Sequence, residues 1–484
     1  MPESGKPRRV YTLDDLPPEI AAVTFAKTSR SPQPFDEIAR GLTEADSSRF
    51  HEKWVIGYGH SSVSEHAVLS IAIENISILG AKVVEENRLS SFTEKSTRYQ
   101  VLDACDYYTP PAFREGPRAR VYERAIARLY TTYDELMPAA LAFAEERYGG
   151  SDWSARGVSP KGKACDALRG LLPAAAKTNL GWTVNARSLR HAIVKLGSHP
   201  LAEMRELAGE LRDVASRRVP TLLRYTEPLD YLRDTERRVM SSFGGPPPAI
   251  HGEPGVRLVR HDPEAEEALV AALLFRATGG SYEGALERAR ALTAADRSTM
   301  VERALDGIGE HESPPREFEN VVYTFEVVVD FGAYRDIQRH RMTTQTPQRL
   351  GCDLGSVVPE DARRAGLAGR MEEALEAAAL AHRELAEVDP DEAQYVVPLA
   401  YRRRFLLTMN LREAYVFVRL RSRVQGHESY REVARAVKRE IERVHPSLGG
   451  PIPAEDAGGC AGEAVGEAVR GAEVVATGSG RKEI

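Results

Sequence analysis

Three consecutive basic residues, Arg339-His340-Arg341, are followed by MTTQTPQ and then Arg349. Earlier in the chain, Glu86-Asn87-Arg88 is followed by seven residues and then Ser96-Thr97-Arg98-Tyr99. One fragment keeps the basic triplet; the other keeps the hydroxyl and the guanidinium that follow the spacer. Guanidinium forks match phosphate oxygens, and a hydroxyl beside them adds a donor and an acceptor. Joined end to end, the fragments describe a site for a sugar-phosphate, built from two unlike halves of one chain.

On a regular helix, Arg339, His340 and Arg341 would point about 100° apart. All three can meet one ligand only where a helix ends, and the threonines and Pro347 that follow support an ending there. Read by itself, the triplet is more readily a solvated basic helix end than a ligand site. Glu94, Ser96 and Arg98 place an acceptor, a hydroxyl and a guanidinium close together, which suits a sugar-phosphate or a polar turn. Asn185 with Arg187, and Asn410 with Arg412, fall where a strand meets a helix. Orphan backbone N–H groups there hold an anion, or the Asn caps the helix. Arg169 and Arg421 lie near these points. His60, His66 and His311 stand in loops ahead of strands.

Other chemistries find no support. No His or carboxylate spacing suits a metal, and neither a G-x-G-x-x-G nor a P-loop motif is present. A formal net charge of −6 gives no case for nucleic acid or a membrane surface, so an anion site must come from local arginine clusters. Four cysteines, none in a CxxC pair, fit a reducing cytoplasm. The first residues lack the apolar core of a signal peptide, and no apolar run reaches the roughly 18 residues of a spanning helix. The expectation is a soluble cytoplasmic protein.

The elements that must position these residues occur twice. Residues 241–256 are rich in Gly and Pro and read as a linker. It separates a repeat at 10–240 from one at 257–450, and a Gly/Ala-rich tail at 453–484 reads as disordered. In each repeat a histidine loop precedes an alternating strand, AVLSIAIENIS or VVYTFEVVVDF, and then a helix running to Arg88 or Arg341. Pro173 stands twelve residues before Asn185 and Pro398 twelve before Asn410, each pair enclosing a strand-like run. His60 and His311 are 251 residues apart, but Asn185 and Asn410 are 225 apart, so the first repeat carries a 26-residue insertion near 110–160. It would shape a ligand opening or an interface. Helices are expected at 121–148, 201–216, 264–276, 369–387 and 429–444. The fold class is α/β, with long helices around a modest sheet in each half.

Taken in order, these pieces resemble the flavin-dependent thymidylate synthase family. The first half supplies GHSSVSEHA, Arg88, Ser96, Arg98-Tyr99, Asp166, Arg169, Pro173 and Asn185-Ala186-Arg187. The second supplies His311, Arg339-His340-Arg341, Pro398, Asn410, Arg412 and Arg421. The resemblance covers most of both halves and implies two tandem family-like domains, each with a mainly antiparallel sheet. The chain departs from the pattern at Glu86 and Asn87, at Arg349 in place of the serine, at Gln394 opposite Arg169, and at Leu196 opposite Arg421.

The resemblance implies that dUMP is methylated to dTMP, with methylenetetrahydrofolate as carbon donor and NADPH as reductant through FAD. Arg339, His340, Arg341, His60, His311, Asn185, Arg187 and Asn410 would hold the flavin. Glu94, Ser96, Arg98, Arg169 and Arg421 would hold the nucleotide, with Ser96 and Arg421 at the reacting end. Family sites use several subunits of a tetramer, so a dimer of tandem chains would form a pseudo-tetramer. Two accounts follow. Either the halves specialised and build composite sites, leaving others blank, or the scaffold has become a flavoprotein for another nucleotide or a non-catalytic binding protein.

Overall fold

A computed structural model of the chain describes residues 9–13, 15–101, 106–243 and 253–455. The first repeat contains three strands: β1 (Val68–Ser77), β2 (Ser90–Glu94) and β3 (Lys177–Asn185), in the antiparallel order β1-β3-β2. The second contains β4 (Gly255–Arg260), β5 (Val322–Asp330), β6 (Thr344–Pro347) and β7 (Arg402–Asn410), in the order β4-β5-β7-β6. Apart from β4, the two sheets share one topology. Val68 pairs with Asn185 in one sheet as Val322 pairs with Asn410 in the other.

The strand patterns explain the layering. In β3, Thr178, Leu180, Trp182 and Val184 face inward in alternation, as Phe405, Leu407 and Met409 do in β7. After each first strand the chain turns into a helix with a polar N-cap. Ser77 Oγ accepts from Gly80 N–H at 2.8 Å before helix Ile78–Glu85, and Asp330 Oδ1 accepts from Ala333 N–H at 2.8 Å before helix Phe331–Ile337.

An internal two-fold relates the repeats at the Pro173 and Pro398 turns, which form a bridge. Ala174 N–H donates to Val397 O and Leu399 N–H donates to Leu172 O, both at 2.9 Å. Ala175 N–H donates to Tyr395 O at 2.8 Å, and Ala400 N–H to Gly170 O at 2.9 Å. Each bond is the other's counterpart after a shift of 225 positions, the signature of a self-complementary interface within one chain. One hydrophobic core therefore runs through both repeats, from Ala22 to Ile452.

The insertion lies on this interface. Its main element is helix Gly116–Tyr148, 33 residues long, against 19 for helix Ala368–Ala386 of the second repeat, on which it packs. Arg118 pairs with Glu384, Arg370 with Glu135 at 2.6 Å, and Tyr148 Oη donates to Asp361 at 2.8 Å.

Some boundaries differ from the sequence reading. Ser241–Phe243 close helix Asp230–Phe243 and Gly255 opens β4, so the expected linker narrows to 244–254, of which 244–252 lie outside the described residues. Strands β2, β4 and β6 are too short or too polar to show a period-two pattern. The tail from 456 onward lies outside the described residues, but Glu455 still packs: its N–H donates to Ser422 Oγ at 3.0 Å. Among the described residues no helix is long and apolar enough to cross a membrane.

Candidate functional site

Four arginines from both repeats gather about one carboxylate, Asp336, near the end of helix Phe331–Ile337. Arg169, which closes helix Pro160–Leu168, donates from Nη1 to Asp336 Oδ2 at 3.3 Å. Arg98, in the loop after β2, forks onto Asp166 with two 2.7 Å bonds. Its Nη1 reaches Tyr430 Oη at 3.1 Å and its Nη2 reaches Gln425 O at 2.7 Å. Arg421, the last residue of helix Leu411–Arg421, lies over the Tyr430 ring at 5.5 Å. Arg339 is exposed beside them. Burial by itself would raise the Asp336 carboxyl. The charges of Arg169, then Arg421, Arg98 and Arg339, override that and bring it down to about 2.

The basic triplet does not converge on one ligand. The helix ends at Ile337, and beyond it Arg339 lies by Asp336 while His340 and Arg341 line a cleft. Arg339 faces the Asp336 cluster. His340 is buried and sits between Glu413 Oε1, 2.7 Å from its Nδ1, and Arg421, whose Nε donates to its Nε2 at 2.9 Å. The guanidinium can only donate, so the imidazole proton lies on Nδ1 and points at Glu413. Burial pushes the His340 pKa down, against the pull of Glu413. His340 therefore orients Arg421.

Arg341 and one edge of His340 line a cleft of about 300 Å³, with Arg88, Lys195, Glu85 and Glu86 of the first repeat. Arg88, Glu86 and Lys195 also line an adjoining cleft of about 680 Å³, which continues to Arg187, Arg190 and Ser61. The two broken motif copies thus share one wall. Glu86 is paired with Lys195, which partly neutralises the carboxylate standing where an arginine was expected.

The remaining predicted residues fall as follows. Ser96 is partly buried, its Oγ accepting from Arg98 N–H at 3.2 Å, close to the cluster. Glu94 is not available to a substrate: Lys82 reaches one oxygen at 2.8 Å and Arg335 the other at 2.7 Å, with its side chain 1% exposed. Burial opposes ionisation there, but Arg335 and Lys82 hold its pKa at about 2. It ties the two equivalent helices together. Asn185 Oδ1 and Asn410 Oδ1 cap their helices, accepting from Ser188 and Glu413 N–H at 2.9 and 2.8 Å. Arg187 pairs with Glu65 at the rim of the larger cleft. His60 is exposed against Trp54, beside that cleft's Ser61. His311 is exposed on the second repeat, in the loop whose Glu310 pairs with Arg423; the structure does not bring it to the cleft.

The sequence matches the family model described as thymidylate synthase complementing protein over residues 13–221 and again over 257–447. The chain belongs to this family. It carries two copies of the family domain. A UPF0159 protein of Chlamydia muridarum is 31% identical over 479 residues, covering 90% of each chain. Another from Thermoplasma acidophilum is 31% identical over 85% of this chain and 89% of its own. A flavin-dependent thymidylate synthase of Clostridium tetani is 28% identical over 46% of this chain and 87% of its own, the span of one repeat. A solved flavin-dependent thymidylate synthase from Helicobacter pylori, complexed with FAD and dUMP, is 18% identical with a TM-score of 0.32, covering 44% of this chain and 96% of that one.

The two family domains are not equal at their shared interface. Across the two-fold, Arg169 is replaced by Gln394, Arg421 by Leu196, Tyr430 by Arg205, Gly170 by Tyr395 and Asp336 by Val83. That mate position is filled. Glu203 accepts from Ser77 N–H and Oγ at 2.8 and 2.6 Å and from Tyr395 Oη at 2.8 Å. Glu392 accepts from Ala202 N–H at 2.8 Å, and burial pushes its pKa up to about 7. Gln394 and Leu196 thus stand in place of two guanidinium groups, with the carboxylates Glu203 and Glu392 beside them.

Sequence reasoning missed Asp336, Tyr430, Lys82, Arg335 and Glu413. One signal was present: Lys82 and Arg335 are 253 positions apart, the same separation as Arg88 and Arg341. Nothing in the spacing marks Asp336 or Tyr430.

Proposed function

We propose that the chain is a flavin-dependent methylating enzyme of pyrimidine nucleotides. It converts dUMP to dTMP, with methylenetetrahydrofolate as carbon donor, NADPH as reductant and FAD as cofactor. The observation that carries this reading is the meeting of Arg98 and Arg169 from one repeat with Arg339 and Arg421 from the other around Asp336. Guanidinium groups gathered in this way suit an anionic nucleotide.

The residues fit the two small molecules. Arg88, Arg341, Lys195 and Arg187 line adjoining clefts that would take the flavin, their cations toward its pyrophosphate. Bound FAD supplies the hydride-transfer chemistry. Ser96 and Arg339 would hold the nucleotide phosphate. Arg421, aimed by the neutral His340, would balance negative charge developing on the pyrimidine. Arg98 and Tyr430 fix the spacing between the repeats, so that groups from both stay in register.

The test is the visible spectrum of the purified chain, then NADPH addition with and without dUMP. A bound flavin that bleaches faster with dUMP is the expected result. A colourless chain that takes up no FAD overturns the reading. In that case a binding protein, or an enzyme for another nucleotide, takes its place; Glu86 beside Arg88 is the observation favouring it.

A further inference from the structure

A further cleft, of about 310 Å³, lies between the repeats and shares no residue with the two clefts described above. Helix Pro160–Leu168 of the first repeat brings Lys163 to it, and helix Glu428–Val444 of the second brings Arg431 and Arg435. Three of the four carboxylates on its wall are already engaged. Arg98 forks onto Asp166, Arg364 pairs with Glu360 at 2.8 Å, and Tyr148 and Arg147 hold Asp361. The fourth, Glu428, is exposed at the start of its helix. The cations are less well served. Lys163 is half-buried and has no hydrogen-bond or ion-pair partner among the described residues; its ammonium lies 5.5 Å from the centre of the Tyr148 ring. Arg431 donates from Nε to Ser422 O at 3.1 Å and pairs with no carboxylate among the described residues. Arg435 lies 3.6 Å from Glu432, but its Nη2 is buried without a partner.

Burial pushes the Lys163 ammonium down, against the pull of Asp166 and Asp361, and the charges of Arg98 and Arg431 push the same way as burial. Burial lowers Arg431 as well, with Arg435 adding to it. The charged forms are thus held at a cost that an anion between them removes. The fold does not call for these cations. A shift of 225 positions sets Val388, Glu206 and Glu210 opposite Lys163, Arg431 and Arg435, and helix Ala202–Ala215 forms with carboxylates at both of its positions. We infer that this cleft is a phosphate site between the repeats, in which Lys163 of the first and Arg431 of the second bind the phosphate group of a small ligand and so brace the repeats together. A phosphate dianion gains from both cations at once; the guanidinium supplies forked donors and the ammonium a point charge.

Acylation of Lys163 in the full chain tests this, followed by peptide mass spectrometry with inorganic phosphate, or with acetate at equal ionic strength. Phosphate is expected to slow the modification several-fold and acetate to leave it unchanged. Equal protection by both salts, or by neither, overturns the inference. The phosphate concentration giving half-protection should rise about tenfold in Arg431→Met and stay the same in Arg341→Ala, whose side chain lines a different cleft. An unchanged value in Arg431→Met sinks the site. A phosphate monoester, dUMP, identifies the source: protection at lower concentration than inorganic phosphate assigns the group to a nucleotide, and weaker protection assigns it to free phosphate. If Lys163 resists the reagent, calorimetric titration with inorganic phosphate decides: binding about tenfold weaker in Lys163→Met than in wild type supports the site, and equal binding overturns it. If the variants do not fold, the wild-type comparison of phosphate with acetate decides.

Discussion

Nη1 of Arg98 lies 3.1 Å from the phenolic oxygen of Tyr430, 332 positions further along the chain. The bond joins the loop after β2 to helix Glu428–Val444, and so joins the repeats where their arginines meet. The same guanidinium neutralises the buried Asp166. Arg98 thus holds the geometry of the arginine cluster.

Replacing Arg98 by Met leaves Asp166 buried without its fork. The expected cost is about 3 kcal/mol of stability, read by urea unfolding. Tyr430→Phe removes one hydrogen bond and should cost about 1 kcal/mol. Equal, small effects from both would show that Asp166 finds water or another partner.

Flavin and nucleotide should separate by substitution. Arg341→Ala is expected to lower FAD occupancy sharply, and Ser96→Ala to weaken dUMP with flavin still bound. Unchanged flavin content in the first variant removes the cleft from the cofactor assignment. Full dUMP affinity in the second removes Ser96 from the nucleotide site.

The filled mate position predicts asymmetry. Equilibrium titration should give one dUMP per tandem chain rather than one per repeat. Two equivalent sites per chain would mean that Glu203 and Tyr395 do not block the second.

Glu392 provides a pH signature. Its folded pKa is raised to about 7 by burial, above the ordinary value of a glutamate. The unfolded chain therefore ionises it more readily, and it costs stability at pH 8. That cost fades as pH falls through 7 and is gone below the unfolded pKa, near 4.3. Glu392→Gln should raise the melting temperature at pH 8 and change little at pH 4. A variant equally stabilised, or destabilised, at both values would contradict the raised pKa.

Much of the site was legible because it depends on local rules. The Pro-to-Asn spacing marked β3 and β7 and the caps that follow them, since an Asn at a helix start satisfies orphan N–H groups wherever the chain goes. The loss of arginines at Gln394 and Leu196 could be read from the repeat alone. Glu94 was misjudged for the opposite reason: a carboxylate beside a serine and an arginine reads as a ligand group, until two cations from different helices occupy both its oxygens. The basic triplet read as one site. The structure keeps His340 and Arg341 on one cleft and places Arg339 with the arginine cluster.

By itself the sequence determined that the chain is a doubled family domain, that its halves had diverged at complementary positions, and where the long strands and several of the longer helices lie, though not helices such as Pro18–Thr28 or Ala294–Leu305. Those follow from side-chain periodicity and residue type, which act over a few neighbours. Only the tertiary structure decided that Asp336 stands among four arginines, that Tyr430 bridges to Arg98, and that Glu203 and Tyr395 fill the mate position. These depend on the two-fold at Pro173 and Pro398, which brings residues more than 160 positions apart into hydrogen-bonding range. At that range burial and charge, rather than sequence spacing, set what each group can do.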